Sequence, residues 1–133
     1  MSIAKAKLIA AVPPFDDCSK DELERVVALA DVRDLAAGTT LMTQGEPGSE
    51  MVIVAEGWLS IMRNGAVIAE CGPGEIIGEM ALLSSQPRSA TVVAASDCRL
   101  MVIAREGFTT LMGEMPVFRE RVKASLSRRA RGL

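Results

Sequence analysis

Apolar positions along the chain change their period twice. At the N-terminal end they recur at helical spacing: Ile3, Leu8 and Ile9 come first, and Pro13-Pro14 interrupts them. Ser19 followed three residues later by Glu22 has the form of a capping box, which predicts a second helix start. Leu23, Val26, Val27 and Ala30 then line one face, with charges on the other, so residues 1 to about 36 read as helical.

From Gly38 onward the pattern shortens. Glycines at 38, 45, 48, 57, 65, 72, 74 and 78 punctuate brief runs rich in Val and Ile. The runs are Thr39–Thr43, Met51–Val54, Trp58–Met62, Val67–Cys71, Thr91–Ala95 and Leu100–Ile103. Short strands at this spacing predict a sandwich, barrel or roll. Asn64-Gly65 is the clearest turn, because both residues tolerate the positive φ of a type I′ hairpin. It is expected to pair Trp58–Arg63 with Ala66–Cys71. Leu59 and Ile61 alternate with Ser60 and Met62, so one face is core; Trp58, on the other phase, is expected to pack under a helix.

After Ala104 the strand pattern stops. Phe108, Leu111 and Met112 predict a short helix ending near Gly113. Pro116 suits the first turn of another helix, where its missing N–H is no loss. There Phe118, Val122 and Leu126 form one stripe, with Arg129 one turn further on the same face and Arg128 rotated away.

Composition narrows the chemistry. The 133 residues are 49% apolar and 24% charged, the balance of a globular protein with its own core. There is no histidine and no tyrosine, which removes Ser-His-Asp and Cys-His catalysis and His-ligated zinc. With 3% aromatics, a stacking platform for single-stranded nucleic acid is also disfavoured. Cys18, Cys71 and Cys98 are odd in number and widely spaced, so they read as small hydrophobes in a reducing cytoplasm. No apolar run reaches the length of a membrane span. The expectation is a soluble, cytoplasmic, non-catalytic binding module without metal.

The net charge of −2 conceals two regions. From Pro116 onward six basic residues face one acid, whereas the remainder has nine basic and sixteen acidic residues. Between Asp34 and Cys98 only Arg63 and Arg88 are basic, so any anion held there by side-chain charge has two candidate partners.

The segment Gly74–Val93, GEIIGEMALLSSQPRSATVV, carries the chemistry. Gly78-Glu79-Met80-Ala81-Leu82-Leu83 reads as a glycine turn entering a short helix whose first amides lack partners. Ten residues past Gly78 comes Arg88, whose guanidinium can pair bidentately with a phosphate between the small neighbours Ser89 and Ala90. Glu79 is an acceptor, suited to a sugar hydroxyl rather than to phosphate oxygens. Together these are the groups a nucleotide's sugar-phosphate requires. Taken singly, each has an ordinary structural reading: Glu79 for the helix dipole, Arg88 as a surface cation.

The stretch G-E-M-A-L-L-x-x-x-P-R-S-A-T-V, residues 78–92, resembles the phosphate-binding cassette of cyclic nucleotide-binding domains. These occur in catabolite-activator-type transcription factors, protein kinase A regulatory subunits and cyclic-nucleotide-gated channels. The leading helices, Gly45-Glu46-Pro47-Gly48, the Met51–Gly57 run, the Asn-Gly hairpin and two closing helices follow in the family's order. The resemblance covers nearly the whole chain and implies one domain, 1–133, of α+β class, mainly β. It would comprise N-terminal helices to residue 36, an antiparallel β-roll of jelly-roll type at 37–103, and hinge and lid helices at 104–133.

The resemblance further implies the roles of residues. Gly78, Glu79, Met80 and Ala81 form the cassette helix; Glu79 accepts from the ribose 2′-hydroxyl, and the Ala81 amide and Arg88 hold the cyclic phosphate. Ser89 donates to the phosphate and can also reach the amino group of a syn guanine, so it does not decide between cAMP and cGMP. cAMP is favoured because members with Ser here commonly bind it, with cGMP the alternative. Leu82, Val92 and Val93 wall the ring, Phe108 and Leu111 seat the hinge against the cassette, and Arg129 stacks over the base from the lid. The implied ligand is a cyclic nucleotide, with no cofactor and no direct nucleic-acid contact. No helix-turn-helix, membrane segment, kinase or cyclase accompanies it. The chain is therefore expected to be a free-standing receptor that docks to a protein effector, or a piece of a longer chain. A roll that has lost its ligand and serves only protein interaction is the competing reading, and hydrolysis of a phosphodiester is remote without a base or metal.

Overall fold

The computed structural model describes residues 2–11, 15–16, 18–84 and 86–132, and the side-chain surroundings of 2–4, 84 and 125–132 fall outside it. In chain order the elements are α1 (Ser2–Ala10), α2 (Lys20–Leu29), β1 (Ala30–Leu35), β2 (Thr40–Met42), β3 (Glu50–Glu56), β4 (Leu59–Arg63) and β5 (Ala66–Cys71). There follow β6 (Ile76–Ile77), α3 (Glu79–Ser84), β7 (Thr91–Ala94), β8 (Cys98–Ala104), α4 (Arg105–Glu114) and α5 (Pro116–Gly132). Two antiparallel sheets result, ordered β1-β8-β3-β6 and β2-β7-β4-β5. The architecture is α+β and mainly β, a roll carrying a helical layer.

The continuous apolar runs of β3 and β8 exist because both faces of their sheet are covered. Met51, Ile53, Met101 and Ile103 pack with the helices, while Val52, Val54, Leu100 and Val102 fill the roll interior against Met42, Leu59, Cys71, Val92 and Ala94 of the second sheet. The hairpin forms as the sequence predicts: Arg63 pairs with Ala66 and Leu59 with Cys71, across Asn64 and Gly65 at φ 52° and 84°.

Two expectations fail. The N-terminal helical reading runs too far, since α2 stops at Leu29 and residues 30–35 form β1, paired with β8 from Ala30↔Ile103 to Leu35↔Cys98. An edge strand buries little, and only Ala30 is buried in it, so its polar residues gave no strand period. Trp58 does not lie under a helix. It precedes β4, is 51% exposed, and covers Gly72, where a Cβ would lie 2.7 Å from its ring.

The helical layer is tied together at its ends. The capping box of α2 is formed, with Ser19 and Glu22 bonded reciprocally. Phe15 stacks on Phe118 of α5 at 5.7 Å, and Phe108 of α4 meets Phe118 edge-on at 6.1 Å. Arg25 of α2 makes two 2.8 Å bonds to Glu114 at the end of α4. Pro116 opens α5, and Phe118 and Val122 are fully buried. The Pro13-Pro14 break lies outside the described residues, as do the side chains of Ile3, Leu126, Arg128, Arg129 and Arg131. Cys18, Cys71 and Cys98 are free thiols, the latter two buried. Among the described residues no helix is long and apolar enough to cross a membrane.

Candidate functional site

The cassette is shaped by what surrounds Arg88. Its backbone is pinned to the loop before β3: the Arg88 amide donates to the Glu46 carbonyl and the Gly45 amide donates to the Arg88 carbonyl, both at 2.8 Å. The side chain then runs inward and is only 9% exposed. Nη1 donates to the Gly78 carbonyl at 2.9 Å and Nη2 to the Glu50 carbonyl at 2.6 Å. Two carbonyls thus fix the plane of the guanidinium.

Glycines make this geometry available. Gly78 links the buried pair Ile76-Ile77 to α3 at φ +89°, and a Cβ there would meet Arg88 Nη1 at 2.6 Å and Met42 Cε at 2.9 Å. Gly48 is also tight against the guanidinium: a Cβ there would approach Ala81 Cβ at 2.5 Å and Arg88 Cζ at 2.8 Å.

Burial pushes the Arg88 guanidinium below its ordinary pKa, and the carboxylates of Glu50 and Glu79 oppose that shift. It remains charged at neutral pH because an arginine starts so high. The Glu50 carboxylate is itself engaged by Arg33 of β1 at 2.9 Å, so it does not close on Arg88 as an ion pair.

Glu79, the first residue of α3, is fully buried beside this cation. Ala81 and Leu82 are buried, at 4% and 7% exposure, whereas Met80 and Leu83 are exposed at 44% and 46%. One turn of helix therefore divides its residues between core and surface. Ser89 is exposed, and its carbonyl accepts from Arg63 Nε at 3.0 Å.

Leu82 and Val92, expected near the ring, lie in different layers of the core. Leu82 belongs to the helix-side cluster with Phe108 and Leu111, and Val92 to the cluster between the sheets. The reason is register: α3 lies on the helical flank, while alternate residues of β7 face the roll interior. Val93 is half-buried and pairs with Ser60 and Thr40. Arg129, expected over the base, lies outside the described side chains.

Sequence reasoning missed three contributors. Arg63, singled out only as one of two central cations, holds the cassette by its main chain. Gly48 is tight against Arg88, which no local turn signal announces. Arg105, at the start of α4, donates to the carbonyls of Leu82 and Gly48, and main-chain acceptors leave no mark in a sequence.

Residues 32–122 match the family model described as cyclic nucleotide-binding domain. The chain is 39% identical over 127 residues to a cyclic nucleotide-gated potassium channel of Mesorhizobium japonicum, covering 92% of this chain and 34% of the channel. It is 31% identical over 124 residues to the cyclic AMP receptor protein of Thermus thermophilus, covering 90% of this chain and 57% of that protein. It therefore spans about a third of the channel's length and just over half of the receptor's. A cyclic nucleotide-binding domain of Methylobacillus flagellatus superposes with a TM-score of 0.79 at 25% identity, covering 98% of this chain and 78% of the other. The chain belongs to the cyclic nucleotide-binding domain family.

Proposed function

We propose that this chain is a receptor for 3′,5′-cyclic AMP that turns occupancy into movement of α4 and α5, and that it performs no catalysis of its own. The observation that carries the reading is the buried Arg88, oriented by two carbonyls between Gly48 and Gly78 with Glu79 at its side. The carboxylates of Glu50 and Glu79 offset part of the cost of burying this cation, and a bound phosphate would offset more. In this reading Arg88 and the amides of the Gly78–Ala81 turn hold the cyclic phosphate, with Ser89 beside them. Glu79 accepts from the ribose 2′-hydroxyl, and Leu82, packed in one cluster with Phe108 and Leu111, relays the occupied cassette to the helices.

The relative named as a cyclic AMP receptor protein is in keeping with a cyclic AMP ligand. Arg129 is assigned to the lid over the base, and the helices and roll to one functional unit of residues 1–133. Its effector is either a separate protein or further chain joined to this unit.

A thermal-shift comparison tests the ligand. At a hundredfold excess over its Kd a ligand stabilises the folded state by about 2.7 kcal/mol. The melting temperature is expected to rise with cAMP and to rise less with equal cGMP. No shift with either nucleotide would leave the roll as an interaction module.

A further inference from the structure

Arg105 is the first residue of α4, immediately after β8. Its amide donates to the Ser49 carbonyl at 3.0 Å. Its guanidinium splits between two other segments: Nη1 donates to the Leu82 carbonyl in α3 at 3.0 Å, and Nη2 to the Gly48 carbonyl at 2.9 Å. One side chain thereby ties the start of α4 to the cassette helix and to the loop against which Arg88 is packed.

Gly48 is what makes this tie consequential. It is flanked so closely by Arg88 Cζ and Ala81 Cβ that no side chain fits there. The Gly48 backbone therefore packs directly against the Arg88 guanidinium, and the Gly48 carbonyl is bonded to Arg105. The second acceptor, Leu82, lies in a helix whose next-door residue Ala81 contacts the same loop. Both segments that frame the phosphate position converge on one guanidinium, and that guanidinium belongs to α4. Its rigid planar fork suits the task, since two N–H groups hold two carbonyls at fixed separation.

We infer that Arg105 is the positioning residue that couples the phosphate site to α4. It touches no ligand and acts through Gly48 and Leu82. The inference rests on the sensor reading above, in which α4 and α5 respond to the nucleotide.

The test is hydrogen–deuterium exchange across residues 106–122 with and without saturating cAMP, in the wild-type chain and in Arg105→Ala, with cAMP affinity measured on both. The wild type is expected to change its exchange on binding. Arg105→Ala is expected to bind with Kd raised by no more than about tenfold, within the usual range of coupling free energies, yet to lose that change. Arg105→Lys, which reaches one carbonyl at a time, is expected to retain part of the response, and it carries the test should Arg105→Ala not fold. A variant that binds and responds as the wild type does overturns the role of Arg105 alone. A wild type that binds cAMP with no change in exchange overturns the sensor reading together with the coupling.

Discussion

A Cβ on Gly48 would lie 2.8 Å from Cζ of Arg88, so the loop before β3 and the guanidinium occupy space that only glycine leaves open. The Ala81 Cβ would lie closer still, at 2.5 Å, so a side chain here meets two neighbours at once. Gly48→Ala is therefore expected to displace Arg88 or α3. Overpacking of this kind costs about 1 to 3 kcal/mol. Chemical denaturation is expected to show that loss, and cAMP affinity is expected to fall with it. An alanine variant with wild-type stability and affinity would mean the loop can move away at no cost.

The N-terminal segment is held to the closing helices by Phe15, which is 1% exposed and stacked on Phe118. Removing a buried phenyl ring costs about 3 to 5 kcal/mol, a large share of a domain's stability. Phe15→Ala is expected to move the urea midpoint strongly downward, and Phe15→Leu much less. A loss below about 1 kcal/mol for the alanine variant would show that the stack is peripheral.

The exposed pair Arg99–Asp34, at 2.8 Å, predicts a weak dependence on pH. The hydrogen bond from Arg99 holds the Asp34 carboxyl below the usual carboxylate range. A depressed carboxylate contributes stability above its unfolded pKa and loses it as pH falls through the folded value. The wild type is expected to melt slightly above Asp34→Asn at neutral pH, and the gap is expected to close as pH falls through the folded value. Salt is expected to narrow the gap, because the pair is exposed. A gap that widens on acidification would contradict this sign.

Legibility in the sequence followed burial. The Asn64-Gly65 hairpin, the Ser19–Glu22 cap and the Pro116 helix start are local devices, and each was readable from two or three neighbouring residues. β1 was not, because an edge strand with polar Asp31, Arg33 and Asp34 has no apolar alternation to read. The Gly78–Arg88 segment stood out by residue type and spacing. What completes its surroundings comes from far along the chain: Gly48, Glu50, Arg63 and Arg105 meet it through carbonyls and steric fit. The place of Trp58 is not legible locally, because it stands just before β4 and covers Gly72, a neighbour that the sequence does not announce.

Arg88 is the most direct test. A charged hydrogen bond contributes about 1.5 to 3 kcal/mol, and its removal also deprives the Gly78 and Glu50 carbonyls of their donor. Titration calorimetry of cAMP against the wild-type chain and Arg88→Ala, both confirmed folded, is expected to give one-site binding to the first and affinity at least about tenfold weaker for the second, the equivalent of 1.4 kcal/mol. Equal affinity in the two chains would contradict the assignment of the phosphate site to Arg88, and no binding to the wild type would contradict the cyclic AMP reading itself.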